Sequence, residues 1–171
     1  MPTPETAMFA SILSNTPTWV FAVFAALIAI GLMQTRPRTV SRRRLIVLPV
    51  VVAGYSLYGV AMASGGSPLA LAAWLLAVAA AFLLTRMAPP KGIHAESGNT
   101  VHLPGSWVPM VVILGLFSAR YAYNVMLAIH PEVQHAAGFM TLFSFLFGLL
   151  GGLLLARSVL LYARSPHMIP A

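Results

Sequence analysis

Long runs without a charged residue divide the chain into segments of membrane-spanning length. The hydrocarbon core of a bilayer is about 30 Å thick and requires roughly 20 apolar residues of helix. Residues 45–85 form an uncharged run of 41 positions, which is enough for two spans, and turn-forming residues at 64–68 divide it. The same criterion predicts five transmembrane helices in a single membrane domain over residues 1–171, at about 17–34, 45–63, 68–85, 107–129 and 136–161.

The basic residues are distributed asymmetrically about these five predicted spans. Nine of the ten Lys and Arg residues fall on one side of the membrane, whereas Glu5 and Glu132 fall on the other. Positively charged loops stay in the cytoplasm. We therefore expect an all-α multi-pass protein of the bacterial inner membrane, with its amino terminus outside and its carboxyl terminus inside.

The composition narrows the chemistry that the chain can carry. Only 8% of its residues are charged, whereas a soluble domain has roughly 25%. The absence of cysteine excludes disulfides, thiolate catalysis, cysteine-ligated zinc and iron–sulfur clusters. No histidine lies within a predicted span, where it could ligate haem, and we expect no cofactor. Because the basic residues lie between apolar runs, we expect them to face anionic lipid and not nucleic acid.

The cytoplasmic loop at 88–106, between the third and fourth spans, has the alternating pattern of a short β-hairpin. Polar and apolar residues alternate on both sides of a glycine-containing turn. If Gly98 is the centre of the turn, His94 lies opposite His102 and Glu96 lies opposite Thr100, and all four side chains lie on one face of the hairpin. Two imidazoles and a carboxylate can hold a zinc-type ion, although an exposed hairpin with two histidines on its polar face explains the same pattern. His94, Glu96 and His102 therefore form a metal-site hypothesis.

Arg120 is the one charged residue that loop topology does not explain. It lies 13 residues beyond Trp107, about 20 Å along a helix at 1.5 Å per residue, and thus past the midplane toward the outside. Intramembrane charges usually face a bundle interior, a cavity or a partner. Helical spacing places Tyr123 and Asn124 near Arg120, so these three residues are candidates for binding an anionic solute or lipid headgroup. The alternative is that Arg120 snorkels toward the outer headgroups.

Two further patterns concern contacts with lipid and with other helices. A basic cluster after the first span is a candidate binding surface for anionic headgroups, although orientation of the chain also explains it; it comprises Arg36, Arg38, Arg42, Arg43 and Arg44. Gly148 and Gly152 form a Gly-x-x-x-Gly motif, which allows two helices to approach closely. This motif packs either against another helix of the same chain or against a second copy.

Several short segments resemble a family of uncharacterised bacterial inner-membrane proteins. They are Thr16-Pro17-Thr18-Trp19-Val20, Arg36-Pro37-Arg38-Thr39-Val40, Leu103-Pro104-Gly105-Ser106-Trp107 and Ala119-Arg120-Tyr121. The resemblance extends over nearly the whole chain and implies an inner-membrane protein without a known reaction. The five-span layout, the basic first loop and the arginine in the fourth span are also similar to the CcdC-type membrane proteins, whose name links them to cytochrome c biogenesis.

These patterns favour a binding protein over an enzyme. The sequence shows no nucleophile–base pair, Gly-rich phosphate loop or carboxylate dyad. We expect a non-catalytic accessory protein that binds membrane partners or lipid. The alternatives are a small transporter or receptor with an outer-leaflet cavity around Arg120, and a metal-binding protein that uses the cytoplasmic loop.

Overall fold

The structure is a computed structural model that describes residues 14–88, 94–95, 100–103 and 105–164. Five α-helices make up most of it: α1 (Thr18–Gln34), α2 (Arg42–Ala63), α3 (Pro68–Met87), α4 (Trp107–Ile129) and α5 (Ala137–Arg164). Three short strands lie between them: β1 (Arg38–Ser41), β2 (His94–Ala95) and β3 (Thr100–Leu103). A 3₁₀ turn at Pro131–His135 joins α4 to α5.

The ends of the helices follow from local sequence signals. The Ser41 hydroxyl accepts a hydrogen bond from the backbone N–H of Arg44 at 3.4 Å, which caps α2 at its amino end. This cap starts α2 three residues before the predicted apolar span, because arginine is a good helix former although it is not apolar. Between α2 and α3, Gly65 and Gly66 adopt φ values of +58° and +76°, which only glycine adopts without strain. Pro68 then occupies the first turn of α3.

α5 lies at the centre of the described bundle and contacts α2, α3 and α4. Its most extensive contact is with α3, and the two predicted small-residue positions explain why. A Cβ atom on Gly148 would lie 2.5 Å from the Trp74 carbonyl oxygen, and one on Gly152 would lie 2.9 Å from the Val78 Cα. The Gly-x-x-x-Gly motif therefore packs against α3 within the chain, which is the intramolecular alternative of the two predicted, and this face is not free to bind a second copy.

α1 packs antiparallel along α4. Gly31 lies against Met110, and seven residues away on both helices the rings of Phe24 and Phe117 are 5.5 Å apart. At the end of α1, the Gln34 carbonyl accepts a hydrogen bond of 3.2 Å from the N–H of Ser106. The two helices therefore run side by side from the start of α4 toward its carboxyl end.

The three strands form one antiparallel sheet with the order β1-β3-β2. His94 pairs with His102 and Ala95 with Val101, so the predicted register of the hairpin is confirmed for the described residues. The sequence pattern does not predict the third strand, β1, in which Thr39 pairs with His102 of β3. The reason is that Pro37 and the arginines around it resemble an irregular basic loop, and the partner strand lies more than 60 residues away.

Four of the five helices are long and apolar enough to cross a membrane, and α1 is a shorter apolar helix of 17 residues. Large apolar side chains on their outer faces are exposed, as expected for surfaces that face lipid. These observations confirm the prediction of a mostly helical, multi-pass membrane protein.

Candidate functional site

A groove of about 680 Å³ lies between the beginning of α1 and the second half of α4. This volume is within the range of roughly 300–1,000 Å³ that is usual for small-molecule sites. Most of its wall is apolar, and the polar side chains that line it are Asn15, Thr16, Arg120, Tyr121 and Asn124. Each of these five side chains has a hydrogen-bond donor, and none is acidic. The groove is therefore suited to a ligand that has an apolar part or carries a negative charge.

The guanidinium of Arg120 lies over two aromatic rings and against a glycine. Its Cζ atom is 5.9 Å from the centroid of Tyr123 and 5.8 Å from that of Phe147 on α5. Nη1 lies 3.4 Å from the position of a Cβ on Gly59 of α2. Tyr123 lies nearly one turn further along α4 than Arg120, and Gly59 lies four residues before the end of α2. Because the guanidinium contacts both residues, the side chain of Arg120 extends toward the end of the bundle where α1 begins.

The described residues provide no carboxylate to Arg120. Glu132 is the only acidic residue in the described ranges, and its Oε1 atom lies 3.0 Å from Nδ1 of His130, which donates to it. This pair is largely exposed. A hydrogen bond from its own backbone N–H and the one from His130 lower the pKa of Glu132 from its usual value. Glu132 is thus paired with His130, whereas the guanidinium of Arg120 contacts the aromatic rings of Tyr123 and Phe147.

Helical geometry explains which neighbours of Arg120 reach the groove. At about 100° per residue, Tyr123 lies roughly 60° to one side of Arg120, whereas Asn124 and Tyr121 lie roughly 40° and 100° to the other. The first side faces α5, where Tyr123 is only 7% exposed and stacks on Phe139 with ring centroids 5.6 Å apart. The other side faces α1 and the groove. Arg120 lies at the boundary between these two faces.

The candidate set of Arg120, Tyr123 and Asn124 is therefore divided by the structure. The ring of Tyr123 contacts the guanidinium, but Tyr123 is not among the described residues that line the groove. Its hydroxyl lies 3.9 Å from the Met140 sulfur. Asn124 lines the groove, and its side-chain N–H donates to the backbone carbonyl of Arg120 at 2.9 Å. Tyr123 lies on the buried face of α4 because it is three residues beyond Arg120, and the binding role of the three residues stays a prediction.

Three polar residues of the groove are not among the predicted site residues: Asn15, Thr16 and Tyr121. The hydroxyl groups of Thr16 and Tyr121 lie 2.6 Å apart and join the start of α1 to α4. They are separated by 105 residues in the sequence, so no local pattern connects them. The position of Tyr121 on the same helix face as Phe117 and Asn124 was the only available signal.

The basic cluster lies at the opposite end of the bundle, beside the sheet. Arg36, Arg38, Arg43 and Arg44 are exposed, and the side chain of Arg42 lies outside the described residues. Nη2 of Arg38 donates to the side-chain carbonyl of Gln34 at 3.2 Å. An exposed basic surface of this kind can contact anionic headgroups, and it stays a candidate lipid surface.

The metal-site hypothesis depends on a residue that lies outside the described ranges, Glu96. The backbone register places His94 opposite His102. Within the described ranges, no group of three or more His, Cys, Asp or Glu residues is arranged to hold a metal ion. The structure thus places two of the three proposed ligands at opposite backbone positions, and the metal site stays a prediction because Glu96 lies outside the described residues.

The chain belongs to DUF6622, a family of unknown function, and the match extends over residues 1–171. This finding confirms the expectation of an uncharacterised family, whereas it does not show the more distant similarity to CcdC-type proteins. No curated protein and no solved structure matches the chain. The family match therefore assigns no reaction, and a function is inferred from the geometry of the groove.

Proposed function

We propose that this member of the DUF6622 family is a non-catalytic accessory protein of the bacterial inner membrane that binds an anionic group of a lipid or of a small solute at Arg120. The observation that carries the proposal is Arg120, which lines the groove and whose guanidinium has no carboxylate partner among the described residues. Membrane lipids are then its principal partners.

The proposal requires Arg120 to lie at the outer side, and the packing of α1 supports this orientation. α4 is long enough to cross the membrane, and α1 accompanies it from Gln34, beside Ser106, to Thr16, beside Tyr121. Both helices therefore cross together in the proposed five-span arrangement. The exposed arginines of the basic cluster lie at the end where α1 finishes. With those arginines in the cytoplasm, the groove opens to the outside.

The energetics favour a bound anion over a permanently unpaired arginine. A charged side chain within the membrane costs roughly 2.5–3.5 kcal/mol on insertion scales. Each ring contact returns about 0.5–2 kcal/mol, which offsets part of this cost. A phosphate or carboxylate group would neutralise the charge and accept two parallel hydrogen bonds from the planar guanidinium. Binding of such a ligand to the folded protein would further raise the free energy of unfolding.

Native mass spectrometry of the full chain in detergent micelles tests this proposal. We expect the protein to retain phosphatidylglycerol in preference to phosphatidylcholine. Arg120→Gln should lower this retention by about tenfold, the loss expected for a charge-assisted hydrogen bond of about 1.5 kcal/mol, and Arg120→Lys should restore part of it.

The matched control is Arg86→Gln. Arg86 is exposed near the end of α3 and does not line the groove, so its loss removes the same charge without changing the site. Retention that falls equally in both variants would indicate nonspecific attraction to basic residues. Retention that is unchanged in Arg120→Gln, for phosphatidylglycerol and for added glycerol phosphate alike, would refute the proposal.

A further inference from the structure

We infer that the groove is a hydrated notch, open to the outer aqueous surface, through which an oxyanion reaches Arg120. The inference rests on the proposed function and adds to it the route of entry and the chemical class of the ligand. The class is a phosphate or carboxylate group, and its source is either a free anion or the headgroup of an outer-leaflet lipid.

α4 is longer than α1, and the two helices do not end at the same level. The pairs Gly31–Met110 and Phe24–Phe117 keep the same antiparallel register over seven residues. Extending this register by six residues places Thr18, the first residue of α1, level with Tyr123. α4 continues for six more residues to Ile129, which is about 9 Å at 1.5 Å per residue. The last turns of α4 therefore extend beyond the first residue of α1, and the groove lies where α1 no longer covers α4.

The guanidinium of Arg120 lies close to one end of the bundle. Gly59, which it contacts, is four residues before the end of α2, or about 6 Å along that helix. The guanidinium is thus only a short distance below the outer end of the bundle. Water and headgroups reach such depths readily where a protein surface is notched, and this lowers the cost of a charge there.

Several polar residues lie in the mostly apolar lining of the groove. Besides Arg120, the polar residues Asn15, Thr16 and Tyr121 line the notch, and the hydroxyl groups of Thr16 and Tyr121 are hydrogen-bonded to each other. Hydroxyl and amide N–H groups donate to phosphate and carboxylate oxygens, as guanidinium does. None of the described residues that line the groove is acidic, so none of them repels an anion or competes with it. The polar groups of the notch therefore favour an oxyanion over a cation.

Cysteine accessibility tests the inference, because the natural chain has no cysteine. The reporter variant is Asn124→Cys, which lines the groove, and the control is Ala122→Cys, which is exposed two residues away but does not line it. In proteoliposomes, a membrane-impermeant maleimide added outside should label Asn124→Cys at least tenfold faster than Ala122→Cys. Val125→Cys, which also lines the groove, replaces the reporter if the first variant does not fold.

Protection from labelling then identifies the ligand. Inorganic phosphate, or phosphatidylglycerol in place of phosphatidylcholine in the vesicles, should slow labelling of Asn124→Cys, and the added change Arg120→Gln should abolish this protection. Protection by phosphate supports entry of a free anion, and protection by phosphatidylglycerol alone supports a lipid headgroup.

Two results would overturn the inference. One is equally slow labelling of the groove and control positions, which would mean that the notch is dry. The other is rapid labelling that neither anion slows, which would mean that the notch does not bind an oxyanion. The proposed function would survive the first result if Arg120-dependent lipid retention persisted in the mass spectra, so the two failures are distinguishable.

Discussion

Gly59 provides the space in which the guanidinium of Arg120 lies between α2 and α4. A Cβ at this position would just touch Nη1, at 3.4 Å, and a longer side chain would occupy the same space as the guanidinium. Tyr123 and Phe147 then hold the guanidinium from the other side. The position of one charge thus depends on one residue without a side chain and on two aromatic rings.

Gly59→Leu should displace the guanidinium from both rings. We expect the free energy of unfolding to fall by about 1–4 kcal/mol, because each of the two cation–π contacts contributes about 0.5–2 kcal/mol, and retention of phosphatidylglycerol to fall as in Arg120→Gln. Unfolding by SDS in mixed micelles measures the first effect, and native mass spectrometry measures the second.

Gly54→Leu is the matched control for this substitution. Gly54 lies on the same helix, five residues earlier, and a Cβ added there meets no atom within 4 Å. Its replacement should leave lipid retention unchanged and should leave stability unchanged or slightly raised, because leucine is a better helix former than glycine. If the two leucine variants behaved alike, the space at Gly59 would have no specific relation to Arg120.

At the scale of elements, contact between α3 and α5 depends on backbone approach at small residues. In a membrane, burial of apolar side chains drives helix association weakly, and close van der Waals packing contributes more. Ala77 and Ala81 on α3 have no exposed surface, and they face Gly148 and Gly152 of α5. A second tie is polar: Trp74 Nε1 donates to the Ser56 hydroxyl at 3.2 Å and so links α3 to α2.

Gly148→Ala should destabilise the bundle although alanine is the better helix former. Its Cβ would lie 2.5 Å from a backbone oxygen of α3, so the two helices would have to separate. We expect a loss of about 1–3 kcal/mol, the usual cost of overpacking a core, measured by SDS unfolding. Gly138→Ala on the same helix, where a Cβ meets nothing within 4 Å, should be neutral or slightly stabilising. An equal loss in both variants would contradict the close packing of α3 and α5.

The elements that sequence analysis predicted well are those that a local signal determines. The five helices follow from long apolar runs, and the pairing of His94 with His102 follows from alternation about a turn. The features that it missed depend on contacts between distant segments. β1 becomes a strand only because β3 offers it a partner. Tyr121 enters the groove because α1 packs on that face of α4, and no periodicity in α4 indicates which neighbour covers which face.

At the scale of the whole molecule, one end of the bundle is basic and the other is notched. The basic cluster and the sheet lie together at the end where α1 finishes and α4 begins. The groove, the turn between α2 and α3, and the 3₁₀ turn lie at the other end. This polarity relates the two proposals: if the positive loops lie in the cytoplasm, Arg120 lies toward the outer surface, as both proposals require.

Labelling of single cysteines in cells tests this orientation and the crossing of α1 together. Ser14→Cys precedes α1, Ala136→Cys follows the 3₁₀ turn, and Thr39→Cys lies in β1; all three positions are exposed. In the five-span arrangement with the amino terminus outside, an impermeant maleimide should label Ser14→Cys and Ala136→Cys in intact cells, and Thr39→Cys only after permeabilisation. If α1 did not cross, Ser14→Cys would require permeabilisation as Thr39→Cys does. An inverted protein would reverse the behaviour of Ala136→Cys and Thr39→Cys, and Arg120 would then serve the cytoplasmic side.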